Sequence, residues 1–245
     1  MPNWKELRHA YGPAEDLPQI LSALTPDPDA PAWDDLWSRV CHQGTTYSAS
    51  PAVLPFLLDL ASSWKAPARV SPLFLAGAIV AARETVLAGY EPTVEALRTQ
   101  AVETAKASGL SRSDRIYVMD SALALGGDRL WGGVLNHLND GEFPGVCPWC
   151  SGRTLGKDLY LVIGKYGFFT TAGDWLRDPK ASKNEIQPQP AEALIGAGSW
   201  MHAVSIEAGD PELAEWCCYL FGSSKCPHCG QPFQVASAIA AAQVD

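Results

Sequence analysis

Two Cys-x-x-Cys turns constrain the C-terminal half of this chain more than any other feature of the sequence. They are Cys147-Pro148-Trp149-Cys150 and Cys226-Pro227-His228-Cys229. Each turn presents two thiolates at an angle that one Zn²⁺ can share, and the proline after the first cysteine stiffens the turn. Two such turns supply four sulfurs and leave no coordination position open for water. The sequence therefore predicts one structural zinc ion per chain, held by these four cysteines.

The separation of the two turns leaves alternatives open. Positions 151 to 225 lie between them, whereas zinc ribbons usually have about 15–20 residues between their cysteine pairs. Because loop-closure entropy rises slowly with length, a folded insertion costs little. The alternatives are two unrelated reduced pairs, or a redox dithiol of the thioredoxin-like kind. A redox dithiol needs a strand running into a helix of a βαβ unit, and residues 230–245 are too few to build one.

Composition places the chain among globular proteins and disfavours several partners. Of its 245 residues 47% are hydrophobic and 18% are charged, and the net charge is −9. Nucleic-acid binding relies on clustered Lys and Arg, so we expect a basic protein as the partner instead. The N-terminus has no signal-peptide pattern, and no apolar run is long enough for a membrane span. Seven cysteines without such a signal favour reduced thiols, so we expect a cytoplasmic protein.

Residues 14–139 carry the apolar spacing of successive helices. In the second of them Trp33, Leu36, Trp37 and Val40 share one face. Helices are expected over about 15–24 and 32–41, and then from Ser50-Pro51, Ser71-Pro72, Glu91-Pro92, Ser111 and Asp128. Short connections between such helices are typical of stacked helical hairpins, and an irregular helical globule is the alternative.

The pattern changes after residue 141. Leu159–Ile163 and Tyr166–Thr171 are rich in β-branched and aromatic residues, which predicts a hairpin beside the first Cys-x-x-Cys turn. Residues 177–190 are polar and contain prolines, so we expect an exposed connector there. Helices are predicted over about 191–206, from Asp210-Pro211, and over about 233–242. Cys217 and Cys218 are interpreted as core residues.

One stretch of the helical region resembles a known family. It comprises Trp33-Asp34-Asp35-Leu36-Trp37, His42-Gln43-Gly44-Thr45, Ala49-Ser50 and Ala52-Val53-Leu54-Pro55-Phe56-Leu57. This stretch resembles a large group of bacterial HEAT-like proteins, and the resemblance covers roughly 15–139. Many members of that group are thought to act as immunity-type or scaffold proteins near polymorphic toxins, and some continue into a Cys-x-x-Cys segment. The resemblance implies a fold more than a role, because its motifs are not catalytic.

The resulting fold prediction is a mostly α protein with two regions. Residues 1–140 are expected to form a HEAT-like α-solenoid of antiparallel helix pairs. Residues 141–245 are expected to form a small zinc-stapled part, with a β-hairpin and helices, packed on the solenoid.

Partner-binding candidates cluster around the polar loop that follows the second helix. They are Trp33, Asp34, Asp35, Trp37, His42, Gln43 and Tyr47. For His42 and Gln43 we favour a structural interpretation over a binding one: Gly44 ends that helix, and His42 bonds its last carbonyls. Further acidic candidates are Glu15, Glu207, Asp210, Glu212 and Glu215.

The motifs favour a non-catalytic protein. The sequence has no phosphate-binding glycine loop, no His-Glu-x-x-His and no Gly-x-Ser-x-Gly. We therefore expect a protein-binding scaffold, an immunity protein that neutralises a basic toxin. Two alternatives stay open. One is an enzyme or biosynthetic accessory protein with a pocket on the concave solenoid face, lined by Trp33, Trp37 and Trp64. The other is a zinc-ribbon nucleic-acid binder that uses Arg153, Lys157 and Lys165.

Overall fold

The computed structural model describes residues 2–150, 159–173, 177 and 180–243. The chain divides into two units, Met1–Leu135 and Asn136–Asp245, here called unit 1 and unit 2. Helices account for 48% of the structure, and the strands form small antiparallel sheets. The mostly α class is therefore confirmed. None of the helices in the described part of the chain combines the length and the apolar character that a bilayer crossing requires.

Unit 1 consists of six α-helices and two minimal hairpins. The helices are α1 Leu17–Ser22, α2 Pro31–Val40, α3 Leu54–Ser63, α4 Val70–Ala81, α5 Glu91–Lys106 and α6 Arg112–Leu125. Short 3₁₀ turns, Pro51–Val53 and Ala66–Arg69, precede α3 and α4. The strands are β1 Arg8–His9, β2 Gly12–Pro13, β3 Cys41–His42 and β4 Thr45–Thr46, paired β1 with β2 and β3 with β4.

Local sequence explains where several of these helices begin. The Ser111 hydroxyl accepts the backbone N–H of Asp114 at 3.1 Å and caps α6, as the sequence predicts. Proline occupies the first turn of α2 and of α5, where its missing N–H costs nothing. Ser71 is not the cap of α4, because that helix already begins at Val70.

Helix α4 is the centre of unit 1. It is apolar on nearly all sides, and it packs against α3, α5 and α6. Its closest neighbour is α6: a Cβ added at Gly77 would lie 2.7 Å from the Cα of Ser121. Glycine therefore sets the approach of the two backbones.

The helix predicted from Asp128 does not form. Residues 129–136 make turns, and only the single turn α7, His137–Asp140, is helical. The Asp128 carboxylate does accept the backbone N–H of Leu130 and of Trp131, as a cap would. Gly133 then adopts φ +122°, outside the helical region, so the helix cannot continue.

Unit 2 combines a four-stranded sheet, a separate hairpin and short helices. Besides α7 the helices are α8 Gly196–Glu207, α9 Pro211–Leu220 and α10 Val235–Ala241, with a 3₁₀ turn at Ala191–Ala193. The strands are β5 Glu142–Gly145, β6 Leu159–Gly164, β7 Gly167–Thr171, β8 Lys183–Glu185, β9 Ser223–Lys225 and β10 Pro232–Gln234. The sheet order is β5-β6-β7-β8, all antiparallel, and β9 pairs with β10.

The hairpin predicted from the apolar runs is confirmed as β6 and β7, which pair from Tyr160↔Thr171 to Gly164↔Gly167. The predicted exposed connector is partly wrong, because Lys183–Glu185 forms β8 and Ile186 is buried. Sheet pairing overrides the polar composition there. The last predicted helix is shorter than expected, since its first residues belong to β10.

Candidate functional site

The second Cys-x-x-Cys turn, Cys226 to Cys229, lies at the tip of the β9–β10 hairpin. Cys226 donates its N–H to the carbonyl of Gln231 at 2.9 Å, and Gly230 donates to the carbonyl of Cys226 at 2.8 Å. Gly230 adopts φ +72°, which a residue with a side chain reaches only at a cost. The glycine after the last cysteine therefore lets the chain turn back into β10.

The first Cys-x-x-Cys turn follows β5 and is anchored on both sides. Val146 donates its backbone N–H to the carbonyl of Ala238 in α10 at 2.9 Å. Trp149 donates its indole N–H to the carbonyl of Pro232 at 2.7 Å, which ties the first turn to the β9–β10 hairpin. These bonds bring together cysteines that lie more than seventy positions apart.

The four predicted ligands meet in one cluster, as the sequence predicts. The sulfurs of Cys147, Cys150, Cys226 and Cys229 all lie within 4.8 Å of one another. Two close sulfur–sulfur contacts join the turns: Cys147 Sγ lies 3.9 Å from Cys229 Sγ, and Cys150 Sγ lies 3.8 Å from Cys226 Sγ. Four sulfurs placed about 2.3 Å from a central ion in a tetrahedron would be about 3.8 Å apart. The residues therefore fit a tetrahedral metal ion.

Backbone amides stabilise the thiolate form of the first cysteine in each turn. Burial favours the neutral thiol of Cys147, but the N–H groups of Cys150 and Trp149 outweigh it and bring its pKa below the ordinary value. At Cys226 burial prevails and raises the pKa, although the N–H groups of Cys229 and His228 act the other way. Burial and the neighbouring sulfurs raise the pKa of Cys150 to about 12.

The other three cysteines are not part of this cluster. Cys41 and Cys217 are buried, and Cys218 is half-buried. Burial raises the pKa of Cys217 to about 12. The core interpretation is thus confirmed for Cys217, and Cys218 does not act as a substitute ligand.

The predicted partner-binding residues divide into interior and surface positions. Trp33 is buried, with its ring edge-on to Trp64 at 6.1 Å, and Trp37 is half-buried against Phe74. Asp34 and Asp35 are exposed, and Asp35 accepts Arg39 Nη1 at 3.1 Å. On α2, the two aspartates are therefore the accessible residues of this group.

His42 and Gln43 lie in the β3–β4 hairpin, and Gln43 and Gly44 form its turn. Both turn residues have positive φ, +50° and +79°. The favoured interpretation of Gly44 as a helix end is therefore wrong, because α2 stops at Val40 and the chain enters a strand. Gln43 is exposed, in a conformation that glycine or asparagine adopts more readily. Tyr47 is half-buried beyond β4.

A set of polar residues that sequence reasoning missed supports this hairpin. Tyr11 donates its backbone N–H to His9 Nδ1 at 3.0 Å, so His9 Nε2 carries a proton and donates it to Asp16 at 2.9 Å. Asp16 also accepts Arg39 Nε at 2.8 Å. Both nitrogens of His9 are therefore engaged in hydrogen bonds. The Tyr11 hydroxyl meets His42 Nδ1 at 3.3 Å.

The electrostatics of this network favour an ionised Asp16. Partial burial opposes ionisation, but the hydrogen bonds from Arg39 and His9 outweigh it and lower the pKa of Asp16. No motif signals these residues, because His9, Asp16 and Arg39 lie on or beside different elements and meet only through tertiary contacts. Tyr11, His42 and Gln43 together form an outward surface, here called the recognition edge.

Two open cavities accompany these sites. One of about 230 Å³ lies beside the β3–β4 turn, lined by Gly44, Thr45, Thr46, Ala82, Arg83 and Glu84. Another of about 490 Å³ lies beside β8 and β9, lined by residues that include Lys183, Asn184, Ser223 and Lys225. Trp33, Trp37 and Trp64 line neither cavity. Of the basic residues proposed for nucleic-acid binding, Lys165 donates to the Asn139 carbonyl, while Arg153 and Lys157 lie outside the described residues.

The fold and the site define a mostly α protein with one four-cysteine cluster. Comparison with protein-family models, with curated proteins and with solved structures finds no match to this chain. A functional assignment therefore rests on the residues and geometry described above.

Proposed function

We propose that this chain is a zinc-stapled, non-catalytic protein-binding scaffold. We further propose that unit 1 is a HEAT-like solenoid, and that the chain acts in the cytoplasm as an immunity protein against a basic toxin. The observation that carries the zinc assignment is the four-sulfur cluster. The observation that carries the binding role is the recognition edge.

Zinc is the ion that best suits this cluster. Tetrahedral four-sulfur sites hold zinc or iron, and a site with four protein ligands has no open position for substrate or water. The N–H groups around Cys147 and Cys226 are the outer-shell donors that such thiolates use. The ion would join the two Cys-x-x-Cys turns, and its role would be structural.

Metal analysis of the purified chain tests the zinc assignment. We expect about one zinc per chain and a colourless protein. Cys147→Ser and Cys229→Ser should lose the metal and the soluble protein, whereas Cys218→Ser, outside the cluster, should keep both. Iron in place of zinc, or metal-free native protein, would overturn the assignment.

The recognition edge supports protein binding because it presents an aromatic side chain on a rigid base. Tyr11 is 62% exposed, yet its backbone is held by the His9–Asp16–Arg39 network. An exposed residue that is already ordered loses little entropy when it binds, and tyrosine is enriched at binding hot spots. Residues at such edges are therefore expected to contact a partner directly.

The charge supports a basic partner. The chain carries a net charge of −9, and Asp34 and Asp35 lie exposed on α2, near the start of the β3–β4 hairpin in sequence. Opposite charges on two partners speed their encounter and select between partners. The buried Trp33 and the half-buried Trp37 of α2 would then support the surface from beneath.

Charge reversal tests this proposal. The probe is a protein of net positive charge encoded by a gene adjacent to that of this chain, with retention measured at about 50 mM and about 300 mM NaCl. We expect binding at low salt, lost in Asp34→Lys/Asp35→Lys and weakened in Tyr11→Ala. Asp59→Lys/Glu103→Lys is the matched control, because it makes the same charge change at exposed positions of α3 and α5. Equal loss in both double variants would reject this surface, and absence of binding at low salt would reject the function.

A further inference from the structure

We propose that Cys229 is a site of reversible oxidation by peroxides, and that Cys147 is the thiol that resolves it into a disulfide. This inference rests on the proposed zinc site. It adds a reactivity that a purely structural metal site would not need.

The four ligand cysteines differ in how far each residue is exposed to solvent. Cys147 and Cys226 are 3% and 1% exposed, Cys150 is half-buried, and Cys229 is exposed. Cys229 is the last cysteine of the β9–β10 hairpin and precedes Gly230, which is itself exposed. A small oxidant in solution therefore reaches Cys229 before it reaches the other three sulfurs.

The resolving thiol follows from the distances. The Cys147 sulfur lies 3.9 Å from the Cys229 sulfur, so a short approach brings the pair to bonding distance. The remaining sulfurs, Cys150 and Cys226, are themselves paired at 3.8 Å. Each of these two contacts joins one turn to the other, so we expect disulfides between the turns.

The chemistry balances with one peroxide per disulfide. The Cys229 thiolate attacks a peroxide oxygen, so an S–O bond forms, the O–O bond breaks and hydroxide leaves. The Cys147 thiolate then attacks the Cys229 sulfur, so an S–S bond forms and the S–O bond breaks, releasing a second hydroxide. Two protons convert both hydroxides to water. The two sulfurs lose two electrons, which reduce the peroxide, and the site keeps only two of its four thiolate ligands.

The cysteines outside the cluster are poorer targets. Cys41 and Cys217 are buried, which withholds them from solvent and raises the pKa of each thiol. Cys218 is half-buried, and after burial itself the carboxylates of Glu215 and Glu192 raise its pKa further. They therefore serve as internal references in the same molecule.

The experiment treats the metal-loaded full chain with increasing hydrogen peroxide. Released zinc is read with a chromophoric chelator, and the disulfides are mapped after alkylation and trypsin. Trypsin separates the turns, because Arg129, Arg153 and Lys225 provide cleavage sites on either side of them. A bond between turns links two peptides, whereas a bond within a turn links none.

We expect one zinc released per chain, a Cys147–Cys229 crosslink at the first equivalent, and recovery of zinc binding after reduction. Cys229 should also be alkylated fastest in untreated protein, a measurement that needs no variant. Modification of Cys218 or Cys41 before Cys229, or a first disulfide within one turn, would overturn the inference. Metal analysis before treatment separates the two failures: a chain without zinc rejects the zinc assignment, and a zinc-loaded chain whose Cys229 resists peroxide rejects only the oxidation site.

Discussion

The two units of this protein reach a defined core by different means. In unit 1 the apolar faces of α3, α4, α5 and α6 cover one another, and Leu73, Leu75 and Ile79 of α4 have no exposed surface. In the described part of unit 2 the longest strand has six residues, and the β9–β10 hairpin has strands of three. An isolated hairpin of that size is unstable in water. It is held here by contacts at its tip, where the four sulfurs gather.

The difference between the two units shows which segments need a crosslink to be stable. Helices of ten to sixteen residues bury enough apolar surface to stabilise one another. Strands of three residues such as β9 and β10 do not, and the polar network of Thr170, Ser224 and Asn184 beside the hairpin adds specificity more than burial. Helices α8 and α9 of unit 2 do pack on each other, so the metal matters most for the β9–β10 hairpin and the strands around it. If the comparison is right, unit 1 should tolerate metal removal and unit 2 should not.

Metal removal should have the largest effect, and it should be confined to unit 2. Structural zinc binding in small domains is coupled to folding with on the order of 10 kcal/mol of apparent free energy. We expect a strong chelator to abolish the cooperative unfolding of unit 2, while the helical signal of unit 1 persists. Calorimetry and far-ultraviolet circular dichroism, with and without chelator, measure both.

The control for this experiment is Cys218→Ser, which should retain the metal and both transitions. Simultaneous loss of the unfolding transitions of both units on chelation would contradict the proposed difference between them. It would show that the stability of unit 1 depends on the metal as well.

The second prediction compares two helical glycines. A Cβ at Gly77 would lie 2.7 Å from the backbone of Ser121, whereas a Cβ at Gly198 would lie 2.9 Å from the ring of Phe221. A side chain can rotate away, but a backbone moves only if α4 and α6 separate. Overpacking costs about 1–3 kcal/mol, against about 1 kcal/mol gained from helix propensity.

We therefore expect Gly77→Ala to destabilise unit 1 by about 1–2 kcal/mol and Gly198→Ala to stay within about 1 kcal/mol of the parent. Denaturant unfolding followed separately for each unit measures the two differences. Equal effects would mean that α4 and α6 can move apart at little cost.

Sequence predicts best where a residue's role is local. The start of α6 at Ser111 and of α5 at Glu91 follow from capping and from proline in the first turn. The sulfur cluster is also predictable, because two Cys-x-x-Cys turns together supply the four thiolates that one tetrahedral zinc ion binds. Strand β8 is not predictable from its polar residues, since its pairing with β7 is decided by the rest of the sheet. The contacts of His9 with Asp16 and Arg39 are equally non-local.

The third prediction sets two matched helix caps against each other. Ser111 accepts the N–H of Asp114 in unit 1, and Asp210 accepts the N–H of Leu213 at 3.0 Å in unit 2. Loss of such a cap costs about 1 kcal/mol. We expect Ser111→Ala to lower only the unfolding free energy of unit 1, and Asp210→Ala only that of unit 2. If each variant lowered both, the units would unfold as one.

The smallest effect should be a pH dependence that belongs to unit 1. Because Arg39 and His9 lower the pKa of Asp16 against the effect of burial, its ionised form stabilises the folded state. That contribution is present above the unfolded-state pKa of about 3.9 and is lost as pH falls through the lower folded-state pKa. The side chain of Asp16 is 42% exposed, so solvent screens the interaction.

We expect Asp16→Asn to flatten the acid-induced loss of unit 1 stability below about pH 4, measured by thermal unfolding at a series of pH values. Asp59→Asn, at an exposed position of α3, is the control and should leave the slope unchanged. An unaltered slope in Asp16→Asn would mean that Arg39 and His9 stabilise the β1–β2 hairpin by packing alone, and that the base of the recognition edge does not depend on charge.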